Sequence, residues 1–410
     1  MLPDVKRFDM KRPAMRMHLG LLMRVLTLPT LLSHKNKLTK IGMEGVKPPY
    51  VLLCNHNAFM DFSVALKATR FKRVNFVVAI DGYLKREWLL RFIGCICKRK
   101  FTRDITLIKQ LKLVKKRGDI AAIYPEARYS LCGTTAVLPE SVGKLAKMLD
   151  IPIVTLICHG HHVNSPFFNL PDHKVKGTEA TMTCLLTPEQ LRSMSAEEIQ
   201  KCIEKAFVYD DYAWQAENKI AVTYPKRAEG LQKVLYQCPH CGREYRMSAS
   251  GATLRCDECG KAWFMDEYGA LKATEGETEF SHIPDWYEWE RGNVRREVRA
   301  GKYGITLQAR GYALPNASGF IDVGNAVLTH DMSGFTVRGH YKGEDYELVI
   351  KASTQYSVHI EYEYLGKYGD CVDLNTLEDT LYVHPEGRDY SVTKMALATE
   401  ELYALYNEQA

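Results

Sequence analysis

Between about residues 45 and 165 the chain alternates short, mainly apolar runs with longer amphipathic stretches. Apolar runs of this length are typical of strands buried on both faces of a parallel sheet. Between two of these runs, Asp104 is placed to cap a helix that Gly118 ends, and Ser141 opens a second helix. Strands that alternate with helices predict an α/β fold. The predicted strands cover residues 50–54, 74–80, 120–124 and 153–158.

The pattern changes again towards the C-terminus. Residues 195–207 and 285–300 have a helical period, and after Gly301 alternating runs are broken by Gly, Asn and Asp, which predicts a β-rich sandwich or barrel. We therefore expect four regions. They are an N-terminal amphipathic segment (1–40), an α/β domain (41–230), a small cysteine-containing module (231–272), and a helix followed by a β-rich domain (273–410).

The apolar stretch at residues 19–32 is interrupted by Arg24 and Pro29. No run of about 20 apolar residues exists, so the sequence predicts no transmembrane helix. Basic flanks favour a helix that lies in the headgroup layer of a membrane, and a buried core helix is the alternative. No secretory leader is recognisable, and eight of the twelve cysteines are scattered, so we expect a reducing cytoplasm.

Charge is unevenly distributed along the chain. The first 117 residues carry a net charge of +19, whereas the whole chain carries +6, so the remainder carries −13. Such asymmetry indicates a negatively charged partner for the N-terminal part. Anionic lipid, a phosphate-bearing substrate and nucleic acid all fit this requirement.

His56 and Asp61 lie just after the first predicted strand and are the candidate catalytic pair. A neutral imidazole can take a proton from a hydroxyl near pH 7, and a carboxylate on its other nitrogen fixes the tautomer and stabilises the imidazolium. Residues five apart do not share a helix face, so the pair requires a turn. The same spacing occurs at His340/Asp345 and at His384/Asp389, so the spacing alone is not specific.

Three further motifs follow His56 in order. The first is a basic block at residues 94–101 that contains Arg99 and Lys100, and the second is Tyr-Pro-Glu-Ala-Arg, which contains Glu126 and Arg128. The third is Pro152, which begins a predicted strand. With these companions, residues 45–165 resemble the glycerolphosphate acyltransferase superfamily of PlsC-type lysophosphatidate acyltransferases.

The resemblance implies a PlsC-like fold, an acyl-CoA or acyl-carrier-protein donor and a glycerol-phosphate-type lipid acceptor. It implies His56 as general base, Asp61 as its orienting partner, and Arg99 or Lys100 as the ligand of the acceptor phosphate. Glu126 and Arg128 would shape the acceptor site. Ala127 stands where the family has glycine, so we expect a different local turn there.

Four cysteines form two CxxC motifs, and each motif is followed by glycine. Four thiolates at this spacing predict a closed, structural Zn²⁺ site, that is, a zinc ribbon. Basic residues do not concentrate around the cluster, so we expect no nucleic-acid partner. The predicted ligands are Cys238, Cys241, Cys256 and Cys259.

The sequence thus predicts a membrane-peripheral O-acyltransferase of phospholipid biosynthesis, on the cytoplasmic face of an anionic membrane, with 1-acyl-sn-glycerol-3-phosphate as acceptor. The alternatives are an acyltransferase for another lysolipid, and a zinc-ribbon binding protein with a degenerate acyltransferase domain. A histidine cluster at residues 159–162 is read as a polar loop near the pocket mouth, with a metal site as the other possibility.

Overall fold

A computed structural model describes residues 5–364 and 368–408. Its N-terminal half is built on a seven-stranded sheet of order β1-β7-β6-β2-β5-β3-β4. The central strands β6, β2, β5, β3 and β4 run parallel, and β7 is antiparallel to β6. The predicted α/β fold class is confirmed. The strands are β1 (Lys37–Ile41), β2 (Val51–Cys54), β3 (Val74–Ala79), β4 (Ile96–Lys98), β5 (Ile120–Ile123), β6 (Ile153–His159) and β7 (Glu179–Leu186).

Helices cover both faces of this sheet, because side chains of the central strand alternate between two apolar clusters. Leu52 and Cys54 of β2 enter one cluster, whereas Val51 and Leu53 enter the other. Asp104 caps its helix by accepting a hydrogen bond from the Thr106 amide, as the sequence predicts. The helices are α1 (Gly20–Ser33), α2 (Met60–Ala68), α3 (Glu87–Phe92), α4 (Ile105–Arg117), α5 (Ser141–Leu149), α6 (His161–Asn164), α7 (Pro188–Ser193), α8 (Ala196–Ala206) and α9 (Asp211–Glu217).

Helix α1 lies on the surface and is not the core helix that the sequence left open as an alternative. Leu31 is its buried residue, whereas Leu21, Leu26 and Leu32 are about two-thirds exposed. Within the described residues, none of the helices combines the length and apolar character needed to span a bilayer. An apolar helix face is therefore open to solvent beside the α/β sheet.

The four cysteines belong to a small antiparallel sheet of order β11-β10-β9-β8. Trp263 of this sheet packs edge-on against Trp286 of the next helix, and both rings are fully buried. The domain boundaries predicted around this sheet stay predictions. Its strands are β8 (Met247–Ser250), β9 (Thr253–Cys256), β10 (Ala262–Met265) and β11 (Leu271–Ala273).

The C-terminal region is β-rich, as predicted, but its described strands form one seven-stranded antiparallel sheet of order β15-β14-β13-β12-β18-β17-β16 rather than a sandwich or barrel. Helices α10 and α11 pack together beside it. The elements are α10 (Ile283–Arg299), β12 (Gly304–Ala313), β13 (Ile321–Asp331), β14 (Gly334–Tyr341), β15 (Glu344–Lys351), β16 (His359–Glu361), β17 (Cys371–Asn375), β18 (Thr380–Pro385) and α11 (Val392–Glu408).

The C-terminal sheet shares a hydrophobic core with the α/β domain. Leu314, Cys371 and Tyr382 belong to the same buried cluster as Leu52 of β2. Apolar burial is the main stabilising contribution to folding, so the two regions stabilise each other. The C-terminal region therefore lies against the part of the α/β domain that carries the predicted motifs.

Candidate active site

The candidate site lies where three neighbouring parallel strands end. In such sheets the carboxyl ends of the strands meet at one edge, where ligands usually bind. His56 follows β2, Glu126 follows β5 and His161 follows β6. Asn55 ties two of these ends together, since its side chain donates to the Cys158 carbonyl and accepts from the Cys158 amide, at 2.9 and 2.8 Å.

His56 and Asp61 are in contact. His56 Nδ1 lies 3.1 Å from Asp61 Oδ2, and the same oxygen accepts hydrogen bonds from the Asn57 and Ala58 amides at 2.7 and 3.0 Å. Asp61 stands in the first turn of α2, so the helix dipole also favours its negative charge. The turn that the five-residue spacing requires is the loop from β2 into α2.

A second histidine binds the same carboxylate. His161 Nδ1 lies 2.5 Å from Asp61 Oδ1. Burial acts to raise the pKa of Asp61, but the hydrogen bonds and charge of His161 and His56 overcome it and lower this pKa to about 2. His161 lies in the buried helix α6 rather than in a polar loop at a pocket mouth. Sequence reasoning missed this contact; the signal available was that His161 comes just after a predicted strand, as His56 does.

Glu126 holds the main chain of His56. Its carboxyl accepts hydrogen bonds from the His56 amide at 2.8 Å and from the Ala136 amide at 3.1 Å. Tyr209 Oη lies 3.2 Å from the same carboxyl and 2.9 Å from Asn57 Oδ1. Burial raises the pKa of Glu126 to about 8. Glu126 is fully buried, and its hydrogen bond fixes the main chain at His56. Its role in shaping the acceptor site stays a prediction.

Two tyrosines contact the His56 ring. The centroids of Tyr124 and Tyr129 lie 4.2 and 4.3 Å from the imidazole. The His56 side chain nevertheless keeps 24% exposure, whereas Asp61 is buried beneath it. Phe59, three residues on, is largely exposed. The His56 imidazole is thus partly exposed while it contacts the buried Asp61 carboxylate, and the exposed Phe59 ring lies close by in the chain.

Ala127 adopts the left-handed conformation, with φ of +56°. The expectation of a different local turn is therefore wrong, since alanine occupies the backbone conformation that glycine prefers. The Ala127 amide donates to the Tyr124 carbonyl at 3.0 Å, which closes a tight turn after β5. That turn places the Glu126 carboxyl within hydrogen-bond distance of the His56 amide.

Arg99 does not meet His56; its guanidinium binds the C-terminal region. Nη1 donates to the Leu314 carbonyl at 3.0 Å and to Thr380 Oγ1 at 2.6 Å. Nη2 donates to the Pro315 and Glu378 carbonyls at 3.0 and 2.9 Å. Arg99 is buried, so both terminal nitrogens are committed to protein acceptors in this arrangement.

Lys100 is also paired across the two regions. Its ammonium lies 2.9 Å from Asp81 and 3.5 Å from Asp373 of β17. Asp373 in turn lies 3.2 Å from His359, and burial raises the pKa of nearby Glu361 to about 7. Three carboxyl groups thus surround one lysine, and this local charge does not favour an anion.

Arg128 likewise binds a carboxylate of the C-terminal helix α11. Its Nη2 donates to Glu400 Oε1 at 2.7 Å, and the other oxygen of Glu400 accepts from Arg291 at 2.7 Å. Both arginines and the glutamate are mostly buried. The structure therefore brings His56, Asp61 and Glu126 together, whereas Arg99, Lys100 and Arg128 contact the C-terminal region.

The two other His–Asp pairs of the same spacing lie in the C-terminal region. His340 Nδ1 lies 2.9 Å from Asp345 Oδ1 across a hairpin, but both side chains are mostly exposed. Asp389 instead lies 2.8 Å from Arg246. Burial of the carboxylate, rather than spacing, distinguishes the pair His56/Asp61.

The four cysteines form a candidate metal centre. Their sulfur atoms all lie within 4.8 Å of one another, and the pairs Cys238–Cys259 and Cys241–Cys256 are 3.8 Å apart. Tetrahedral zinc with bonds of about 2.3 Å requires sulfurs about 3.8 Å apart, so the thiolates fit this ion. Gly242 has φ of +75° and Gly260 has φ of +79°, which closes a tight turn after each pair. The cluster supports the predicted zinc ribbon.

Comparison with known families identifies the N-terminal part. Residues 33–159 match the protein-family model described as Acyltransferase. This range contains the site at the ends of β2 and β5. Residues 33–159 form an acyltransferase domain. The predicted resemblance is confirmed over this range, which is about a third of the chain.

Wider comparisons are more distant. No curated protein matches the chain. Among solved structures, the crystal structure of the 1-acyl-sn-glycerophosphate (LPA) acyltransferase PlsC from Thermotoga maritima is 16% identical. The match covers 46% of this chain and 76% of that chain, with a TM-score of 0.37. At this level the likeness carries no argument about substrate.

Proposed function

We propose that the chain is an O-acyltransferase that moves a fatty acyl group from acyl-CoA or acyl-carrier protein to a lipid hydroxyl. One observation carries this proposal. The reachable His56 imidazole lies on the buried Asp61 carboxylate at the strand-end edge of a domain that matches the acyltransferase family. This arrangement supplies what thioester acyl transfer needs, a general base next to a binding edge.

In the proposed reaction His56 Nε2 takes the proton of the acceptor hydroxyl as its oxygen attacks the thioester carbonyl carbon. Asp61 stabilises the imidazolium that forms and keeps Nδ1 directed away from the substrate. The new C–O bond forms, the C–S bond breaks, and the imidazolium returns its proton to the leaving thiolate. No enzyme nucleophile is required, and Ala58 offers none next to the pair.

The proposed acceptor is a glycerol-phosphate-type lipid, with 1-acyl-sn-glycerol-3-phosphate first among the candidates. The net charge of +19 in the first 117 residues supports an anionic partner. That Arg99 or Lys100 holds the acceptor phosphate stays a prediction. One observation favours a second candidate, a lysolipid with another head group: both cations already bind groups of the C-terminal region.

We also propose that the protein works at a membrane surface, on the cytoplasmic side. Helix α1 exposes Leu21, Leu26 and Leu32, and Trp88 is exposed on the same half of the chain. Apolar side chains beside a basic surface suit the boundary of an anionic bilayer. Sedimentation with anionic vesicles should fall sharply for Leu26→Asp, and unchanged binding would show that α1 does not contribute to membrane binding.

The experiment that tests the function uses the purified zinc-loaded protein with an acyl-CoA or an acyl-carrier-protein thioester. Acceptors are 1-acyl-sn-glycerol-3-phosphate, a zwitterionic lysophospholipid and a monoacylglycerol, and products are identified by mass. We expect one acylated lipid, formed together with free thiol. If thiol release does not depend on any acceptor, hydrolysis rather than acyl transfer is the activity.

A further inference from the structure

Asp61 stands between two histidines, and the acyltransferase chemistry uses only one of them. His56 contacts Oδ2 and His161 contacts Oδ1, so both oxygens of the carboxylate are occupied. With the Asn57 and Ala58 amides, four donors surround one side chain. Such a carboxylate is held in one rotamer and one plane, which a single hydrogen bond does not achieve.

The chain fixes His161 in place. Asn55 joins the end of β6 to the end of β2 through the two hydrogen bonds to Cys158. Gly160, the next turn residue, has φ of +83°, and a Cβ there would lie 2.8 Å from the Trp214 ring. Only glycine fits such a position. The strand end and the turn therefore aim His161 at the Asp61 oxygen that His56 does not contact.

The two histidines differ in access. The His56 side chain is partly exposed, whereas His161 is fully buried and its Nε2 contacts no hydrogen-bonding group in the described part of the chain. The ionised Asp61 can only accept, so His161 Nδ1 carries the hydrogen of this contact. His161 is therefore a buried donor that no substrate reaches.

Asp61, Cys158 and His161 also lie close enough together to suggest a metal site. The 2.5 Å between Asp61 Oδ1 and His161 Nδ1 is a hydrogen-bond distance. Two ligands of one zinc ion, each about 2 Å from it, lie more than about 3 Å apart. A hydrogen bond therefore describes this contact, and a shared ion does not.

We propose that His161 is a positioning residue, which donates its Nδ1–H to Asp61 and thereby keeps the other carboxylate oxygen on His56 during acyl transfer. The proposal rests on the function proposed above. Without this donor, Oδ1 would be a buried acceptor with no partner, and the carboxylate would rotate to find one. Rotation would withdraw Oδ2 from His56 and disturb the base.

Three variants of the full zinc-loaded chain test the role through kinetics. His161→Leu keeps the burial and removes the donor, so kcat should fall at least ~10-fold with the acceptor KM within ~3-fold. His161→Asn offers Nδ2–H near the lost Nδ1–H and should recover most of kcat. His162→Leu changes the next, equally buried histidine, whose amide binds Asp211, and should retain kcat within ~3-fold. Equal rates for His161→Leu and wild type would overturn the proposal, as would no recovery with Asn.

A measurement without substrate separates this proposal from the function. Imidazole protons hydrogen-bonded to a carboxylate are shifted downfield in the proton NMR spectrum. Wild type should show one such signal from His56 and one from His161. His161→Leu should lose the His161 signal and move the His56 signal upfield, and Asp61→Asn should lose both. If wild type transfers no acyl group but shows both signals, the proposed function fails while the hydrogen bond stands. A wild-type spectrum with no signal that depends on His161 would overturn the positioning role.

Discussion

Arg99→Met tests whether this arginine anchors the C-terminal region to the acyltransferase domain. The substitution keeps most of the apolar stem and removes the guanidinium. Arg99 makes four hydrogen bonds of 2.6–3.0 Å to the carbonyls of Leu314, Pro315 and Glu378 and to Thr380. Its loss leaves three buried or partly buried carbonyls without this donor, so we expect a large decrease in the free energy of unfolding.

The magnitude follows from the contacts. Each hydrogen bond contributes about 1 kcal/mol net, and orphaned acceptors add to the cost, so the total is about 3–5 kcal/mol. An unfolding entropy of about 2.1 cal/mol/K per residue, over the 410 residues of the chain, converts this to a fall in melting temperature of about 3–6 °C if the chain unfolds as one unit.

Thermal unfolding of the zinc-loaded protein by circular dichroism measures this shift. Arg103→Met is the matched control, because Arg103 lies in the same segment with an exposed side chain, and its effect should stay within about 0.5 kcal/mol. If Arg99→Met has the wild-type melting temperature while its KM for a phosphate-bearing acceptor rises ten-fold or more, the anchoring role is refuted and the predicted phosphate role is favoured.

The remaining predictions concern stability. Ala127→Gly removes the strain of a left-handed alanine, but it also increases the conformational entropy of the unfolded chain. The net effect should be a rise of about 0.5–1 kcal/mol in the free energy of unfolding. A lower free energy of unfolding in denaturant titrations would contradict this. Chelation should remove one zinc per chain and expose residues 238–273 to protease, and full resistance without metal would show that the ion is dispensable. Burial lowers the pKa of His162 to about 4 and of His330 to about 3, so protonation below about pH 6.5 favours the unfolded chain. The contribution of these histidines to the free energy of unfolding is therefore fully present above about pH 6.5. It falls by about 1.4 kcal/mol per pH unit for each histidine down to about pH 4. His330→Gln should make the pH dependence of the melting temperature shallower, and an unchanged slope would exclude its contribution.

Much of the α/β domain follows from local pattern. Helix α4 has its cap at Asp104 and its end at Gly118 as predicted, because capping and left-handed glycine depend only on nearby residues. Strands β2, β5 and β6 begin and end within a residue or two of their predicted bounds. The pairing of His56 with Asp61 also depends on a short loop and could be predicted from the sequence.

Contacts between distant segments could not be predicted. The partner of Arg128 is Glu400, 272 residues further on, and no local pattern indicates such a pair. The C-terminal sheet was predicted as a sandwich or barrel, because alternation shows that strands exist but does not give their order. His161 was missed for the same reason, since its role depends on the neighbouring positions of β6 and β2 in the sheet.

In the proposed reaction His56, held by Asp61, is the base of the acyl transfer. The most direct test is the rate of acceptor-dependent thiol release from an acyl thioester by wild type, His56→Ala and His340→Ala. His340 has the same spacing and hydrogen bond to an aspartate, but on an exposed hairpin. We predict that His56→Ala lowers kcat by about 100-fold or more while His340→Ala matches wild type. A His56→Ala variant that retains nearly full acyl transfer would contradict the account.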